Sequence, residues 1–317
     1  MMLEKVRTFG AANDDFSKSI FAGLSRPQKT ISSRWLYDAR GSELFEDITR
    51  LDDYYPTRAE TEILKRDAGA IADFCGAGAL LIEYGAGAGR KTEILLDALA
   101  RPQLYAPIDI AGEVLEDTAR RISRLFPRLP ILPVIADFNQ DFDMPAGLPR
   151  GPRTAFFPGS TIGNLHALGS VAFLNRIRKH TRSGGTAVIG IDLKKDVSTL
   201  LNAYDDREGV TAAFNLNLLA RINRDLCGAF PLDRFKHEAR WNIAESAVEM
   251  HLVSLDARIV AVSGRKFAFR AGETIHTETS RKYDIAGFAA LAGMGGWRLV
   301  ESWLDAEGRF AVVGLRN

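Results

Sequence analysis

An α/β fold is expected of this chain: a parallel, Rossmann-like sheet, with an α+β lobe inserted late in the sequence. The clearest sign is a short apolar run, Leu80, Leu81 and Ile82, that ends in Glu83 and leads into three alternating glycines, Gly85, Gly87 and Gly89, ahead of the helical run 94–99. Strand, glycine turn and helix in that order let a backbone approach a nucleotide, because a Cβ there would block the ligand or the turn. From Leu80 to Leu193 strand and helix patterns then alternate, which implies a parallel sheet covered on both faces. After Lys195 the pattern changes to two helical stretches followed by antiparallel alternation, the mark of a separate lobe.

Residues 1 to about 20 are weakly patterned and read as an arm. Stretches 42–49 and 58–74 read as helices separated by Pro56, since the residue before a proline avoids helical geometry. Thr57, with Glu60 three residues on, is expected to cap the second. The strands after the glycine turn are 105–110, 131–136, 154–157 and 186–191, with a helix over 171–180 that ends before Gly184-Gly185. In the insert, 197–204 and 210–226 are expected to be helical, and 240–242, 247–256, 258–262 and 266–269 to be strands. The chain returns through a helix (285–291), a strand (297–303), a turn at 306–308 and a last strand (310–315).

Ligands in open parallel sheets bind beyond the carboxyl ends of the strands. Asp109, near the end of the second strand, can accept both hydroxyls of a ribose. Asp137-Phe138, at the end of the third, offer a carboxylate for an exocyclic amine and a ring for the face of adenine. The glycines read G-x-G-x-G rather than the dinucleotide pattern G-x-G-x-x-G. Three successive strands ending in ligand groups favour S-adenosylmethionine (SAM) over NAD.

Four further segments carry a resemblance. They are Tyr37-Asp38-Ala39-Arg40-Gly41-Ser42, the run 51–58 (LDDYYPTR), the run 156–165 (FFPGSTIGNL), and Ala203-Tyr204-Asp205-Asp206 with Gly209-Val210-Thr211. Together they resemble the histidine-specific SAM-dependent methyltransferases, which make hercynine, the trimethyl betaine of histidine, on the way to ergothioneine. The likeness runs from about Ile31 to the C-terminus, and it departs in the glycine turn, where many members carry serine or threonine. It implies a SAM methyltransferase sheet closed by an antiparallel edge pair. The domains expected are a helical arm contributing to the substrate site (1–60), a SAM-binding domain (61–195 with 284–317) and a substrate-binding lobe (196–283).

The resemblance also implies roles. Gly85, Gly87, Lys91, Asp109, Asp137, Phe138 and Gly159 would hold SAM, with Lys91 on the methionine carboxylate. Glu83, read from its position alone, is a plain strand-end carboxylate, a brace for the turn or a group facing the sulfonium. Tyr54, Asn164 and Tyr204 would hold the backbone groups of the amino acid, and Phe214 and Met250 would wall its ring. Glu278 and Ser280, two apart on an extended segment, share one face. A carboxylate and a hydroxyl match the donor and the acceptor of a neutral imidazole. Tyr37 is the catalytic candidate, relaying the proton lost from the α-amine, while Tyr55 reads as structural. Alternatives are the same chemistry on another amino acid or derivative, such as a tryptophan derivative, and a SAM-binding module without catalysis.

Composition narrows the classes. The 317 residues carry 41 basic and 40 acidic side chains, a formal net charge of +1, with no basic face or tail to suggest nucleic acid. Apolar residues make up 46%, enough for a substantial core. Cys75 and Cys227 lack metal-ligand spacing and read as buried free thiols in a reducing cytosol. The five histidines show no ligand spacing either, and solvated or supporting positions are expected for them; no metal is implied. No run approaches the roughly 20 apolar residues of a membrane helix, and the N-terminus lacks the apolar region of a signal peptide. A cytoplasmic protein, favoured as a monomer and acting on a small amino acid, is expected.

Overall fold

The computed structural model describes residues 7–8 and 12–317. In chain order the strands are β1 (Arg7–Thr8), β2 (Lys29–Thr30), β3 (Leu80–Tyr84), β4 (Leu104–Asp109), β5 (Val134–Ile135), β6 (Arg153–Phe157), β7 (Thr186–Asp192), β8 (Phe235–Asn242), β9 (Ala247–Ser254), β10 (Arg258–Val262), β11 (Arg265–Phe269), β12 (Thr274–Arg281), β13 (Arg298–Leu304) and β14 (Phe310–Arg316). The α-helices are α1 (Ala12–Leu24), α2 (Ala39–Ile48), α3 (Tyr55–Arg66), α4 (Ala68–Cys75), α5 (Arg90–Ala98), α6 (Gly112–Leu125), α7 (Ala167–Thr181), α8 (Val197–Tyr204), α9 (Val210–Asp225) and α10 (Ile285–Met294). Their described residues fall into two compact units, one of 7–8, 56–194 and 282–317, the other of 12–55 and 195–281.

The first unit holds an eight-stranded sheet in the order β1-β5-β4-β3-β6-β7-β14-β13. The pairs from β1 to β7 are parallel, and β14 and β13 close one edge antiparallel. Successive residues of a strand face opposite ways, and both faces here are apolar. Leu80, Ile82 and Tyr84 of β3 join one core with Phe173, Leu174 and Ile177 of α7 and Phe288 of α10. Leu81 joins the other with Ile63 and Leu64 of α3, Leu95 and Leu96 of α5 and Ile122 of α6. The crossover helices keep both faces dry, so β3 is buried along its whole length.

The second unit has a four-stranded sheet, β2-β12-β9-β8, and a separate β10-β11 hairpin. One core gathers Phe16 and Ile20 of α1, Leu44 of α2, Leu218 and Ile222 of α9, and Val248, Met250 and Leu252 of β9.

Several expectations need correction. The stretch 58–74 is two helices, α3 and α4, broken at Asp67. Pro56 lies in the first turn of α3, where a proline costs no hydrogen bond, so Thr57 is inside the helix and caps nothing. Of the arm, residues 1–6 and 9–11 lie outside the described residues, Arg7–Thr8 form β1, and α1 occupies the remainder, with Phe16, Ile20 and Leu24 buried. The third sheet strand is only two residues long. Cys75 is buried, but Cys227 is exposed in a left-handed turn, φ +48°. Of the two positions expected for the histidines, His180, His237 and His251 take the buried, supporting one.

Candidate active site

The glycine turn follows β3. Gly85, Gly87 and Gly89 have φ of +68°, +45° and +63°, a region that costs an L side chain dearly. A Cβ at Gly87 would meet nothing within 4 Å, whereas one at Gly85 would stand 3.4 Å from Phe138. The turn is therefore an open cradle with the Phe138 ring against one side. Asp109 ends β4 and holds the cradle from below, one carboxylate oxygen accepting from Gly87 N (3.0 Å) and the other from Ala111 N (3.0 Å). Burial pushes its carboxyl up, and the two amides counter part of that. Asp137 turns its side chain to the N–H of Asn139 (2.9 Å).

Glu83 points inward. Its carboxyl accepts from Thr92 of α5 (2.5 Å) and from the Tyr105 hydroxyl of β4, and burial pushes its pKa up to about 7. It ties the end of β3 to α5 and β4.

Lys91, in the first turn of α5, forms an ion pair with Glu60 of α3 (2.5 Å). Glu60 is fully buried and also accepts from Gly159 N, at 3.0 and 2.8 Å. The sequence reading gives Glu60 only a capping role. The available signal is that it sits on the apolar stripe of Ala59, Ile63 and Leu64, a place a glutamate occupies only with partners. Gly159 has φ +80°. The turn continues through Ser160, also left-handed (φ +56°), whose Oγ accepts from Asp192 N (2.9 Å). Asn164, half-buried, ends the short 3-10 helix Thr161–Asn164 of this first unit.

The other candidate substrate residues stand on the second unit. Tyr37 precedes α2. Its neighbour Asp38 caps that helix through Gly41 N (2.8 Å) and accepts from Asn217 (2.8 Å) and Arg224 (2.8 Å) of α9. A Cβ at Gly41 would collide with the Leu36 carbonyl oxygen, which explains the glycine in that motif. Thus fixed, the Tyr37 ring meets Phe45 and Phe214 edge-on, each at 5.5 Å between centroids. Phe45 meets Tyr54 (6.2 Å), and Tyr54 meets Tyr204 (6.1 Å). Tyr204 closes α8; its hydroxyl bonds the Ser280 hydroxyl (2.7 Å), and its carbonyl bonds His237 Nε2 (2.7 Å). Asp206 caps α9 through the N–H groups of Val210 (3.0 Å) and Thr211 (2.7 Å). Tyr55 is buried, its hydroxyl bonded to Lys195 Nζ (2.6 Å).

Glu278 and Ser280 lie on β12 beside β9, with Glu278 opposite Met250 and Ser280 opposite Val248. A bulge at Thr277 sets their direction. It inserts one residue between the pairs His276–His251 and Glu278–Met250. Without it, strict alternation from Ile275, which faces the core, would turn Thr277 and Thr279 inward. With it, Glu278 and Ser280 face inward and are buried. The contacts run from Tyr37 and Phe214 through Phe45 to Tyr54, Tyr204 and Ser280, with Met250 and Glu278 paired on the adjoining strands. Phe45 and Glu60 are the members that sequence reasoning missed. Among the described residues, no group of three His, Cys, Asp or Glu side chains is arranged to hold a metal ion.

The chain is 40% identical over 301 residues to the histidine N-alpha-methyltransferase of Mycobacterium tuberculosis (strain CDC 1551 / Oshkosh), covering 93% of this chain and 92% of that one. It is 38% identical over 308 residues to the histidine N-alpha-methyltransferase of Mycolicibacterium smegmatis (strain ATCC 700084 / mc(2)155), covering 95% of each. Magnesium protoporphyrin IX methyltransferase from Synechocystis PCC 6803, solved with bound S-adenosylhomocysteine, superposes with a TM-score of 0.50 at 10% identity, over 90% of this chain and 98% of that one. That likeness gives the fold: a Rossmann-like methyltransferase sheet. The family described as histidine-specific, SAM-dependent methyltransferase matches residues 16–317, and with the two relatives above, the chain belongs to it.

Proposed function

We propose that the protein transfers methyl groups from SAM to the α-nitrogen of histidine, three times over, to give the trimethyl betaine hercynine in the route to ergothioneine. The observation that carries this reading is the inward face of β12, where the Glu278 carboxylate and the Ser280 hydroxyl stand two residues apart beside an aromatic wall. A carboxylate accepts from one imidazole nitrogen and a hydroxyl donates to the other. Tryptophan offers only a donor, so it would leave one of the two groups unmatched. The relatives named for histidine support the same substrate.

The first unit fits SAM. Gly85 and Gly87 leave the space a Cβ would fill, Phe138 offers a ring beside it, and Asp109 presents a carboxylate at the strand end. We assign Asp137 to the adenine amine, Lys91 to the methionine carboxylate and Gly159 to the wall opposite. Bound there, SAM supplies a methyl carbon activated by a sulfonium. The remaining work falls to the protein. An α-amine titrates near 8, so a proton must leave before the nitrogen can attack. Tyr37 is assigned to accept or relay it. Tyr54, Tyr204 and Asn164 are assigned to the amino-acid backbone, Phe214 and Met250 to the ring. Alignment of nitrogen, methyl and sulfur supplies most of the acceleration. We place the protein in the cytoplasm as a monomer without nucleic-acid or membrane partners. Its balanced charge supports this, and no described helix is long and apolar enough to cross a membrane.

Incubation with SAM and each standard amino acid, read by mass spectrometry, should show one, two and three methyl groups on histidine. Glu278→Ala should lower kcat/KM for histidine at least tenfold, the weight of about 1.4 kcal/mol from one missing hydrogen bond, and narrow its lead over tryptophan. An unchanged ratio of specificity constants, or methylation of another amino acid in preference, would overturn the assignment.

A further inference from the structure

We propose that Glu60 is a specificity-determining residue that makes the cosubstrate site select a zwitterionic amino-acid tail over an anionic one. The inference rests on the assignment of Lys91 to the methionine end of SAM. Glu60 and Lys91 have side-chain exposures of 0% and 19%, so solvent screens their 2.5 Å ion pair weakly. Nucleotide sites usually collect positive charge. Here the lysine that faces the ligand arrives already neutralised by a carboxylate held in place on three sides. Lys91 Nζ and Gly159 N donate to it, and Gly190 of β7 leaves it room, since a Cβ there would collide with Glu60 Oε1. The pair is net neutral and dipolar. An incoming tail with both a carboxylate and an ammonium meets a lysine for the first and the negative field of Glu60 for the second. A tail with a carboxylate alone brings an unbalanced charge to a site with none to spare, and discrimination of this kind is a difference between two affinities.

The test is calorimetric binding of four ligands without turnover: S-adenosylhomocysteine, its analogue lacking the α-ammonium, its analogue lacking the carboxylate, and 5′-methylthioadenosine, which has no amino-acid tail. Wild type should prefer S-adenosylhomocysteine to the ammonium-free analogue. Glu60→Gln should reduce that preference about tenfold or more and leave 5′-methylthioadenosine binding unchanged. Glu60→Asp, which keeps the charge, should retain most of the preference. Lys91→Met leaves Glu60 uncompensated and should shift the balance the other way, toward the carboxylate-free analogue; this arm stands even if Glu60→Gln does not fold. An unchanged preference in a Glu60→Gln protein that still binds 5′-methylthioadenosine would overturn the role of Glu60. So would a Lys91→Met protein with no gain for the carboxylate-free analogue. If wild type bound neither S-adenosylhomocysteine nor 5′-methylthioadenosine, the SAM assignment itself would fail instead.

Discussion

Glu83 carries a cost that only burial explains. Its carboxyl is pushed from 4.5 up to about 7 because it is shut away from water, and its two hydroxyl partners offset part of that. Between those pH values the folded protein holds a proton that the unfolded chain has released. This group's contribution is therefore most favourable below about 4.5 and is lost as pH rises through 7. Glu83→Gln keeps the shape and cannot ionise. The stability of wild type relative to Glu83→Gln should fall by about 2–3 kcal/mol between pH 4.5 and pH 8, each pKa unit being worth about 1.4 kcal/mol. Urea unfolding of both proteins at the two pH values measures it, and a constant difference would show that the carboxyl titrates normally. Lys91 and the cradle glycines were legible in the sequence because a turn and the helix it opens are local. Glu60 was not, since its partners stand 31 and 99 residues away. Asp38 was quoted only as part of a motif, because its links to α9 span 179 and 186 residues.

β12 shows what alternation can and cannot reveal. That Glu278 and Ser280 share a face follows from their spacing, but which face depends on the extra residue at Thr277. Removing one residue lets the strand straighten, and the choice of residue decides what turns inward. Deleting Thr277 leaves Glu278 opposite Met250, at the cost of the bond from Thr277 Oγ1 to the Met250 carbonyl (3.0 Å). Deleting Thr279 draws Thr277 into that position and turns Glu278 outward beside Glu249, with Ser280 still inward. Both proteins should fold, with melting temperatures within several degrees of wild type. Only the Thr277 deletion should keep turnover of histidine. Equal activity of the two, or equal loss, would mean that β12 does not re-register this way. Elsewhere β3, β4, β6, β7, β13 and β14 were legible from periodicity, as were α5, α7, α8, α9 and α10. The break at Asp67 was not, because apolar spacing runs on across it from Ile63 and Leu64 to Ile71 and Ala72.

The chain passes between its two units ahead of α1 and after residues 55, 194 and 281. Two of those crossings are neighbours on the first unit: Lys194 N donates to the Tyr283 carbonyl (2.8 Å), and Tyr283 N to the Asp192 carbonyl (2.9 Å). The buried ion pair of Lys282 with Asp192 (2.8 Å) fastens the return. Apart from the two-residue β1 at its edge, the sheet and both of its cores are therefore complete within residues 56–194 and 282–317. A chain of residues 56–194 joined to 282–317 by a loop of about six residues, an ordinary connection length, should fold cooperatively, bind S-adenosylhomocysteine and methylate nothing. Calorimetry and circular dichroism test this, and an unfolded product would mean that the units form one cooperative body.

Where the ends of an inserted segment meet, a gene can change what lies between them without disturbing what lies outside. The seam at Lys194 and Tyr283 is such a place. Recombination there, matched by a change ahead of Pro56, would give the same methyl donor a new acceptor. Chimaeras cut at these boundaries should then inherit their methyl acceptor chiefly from the second unit.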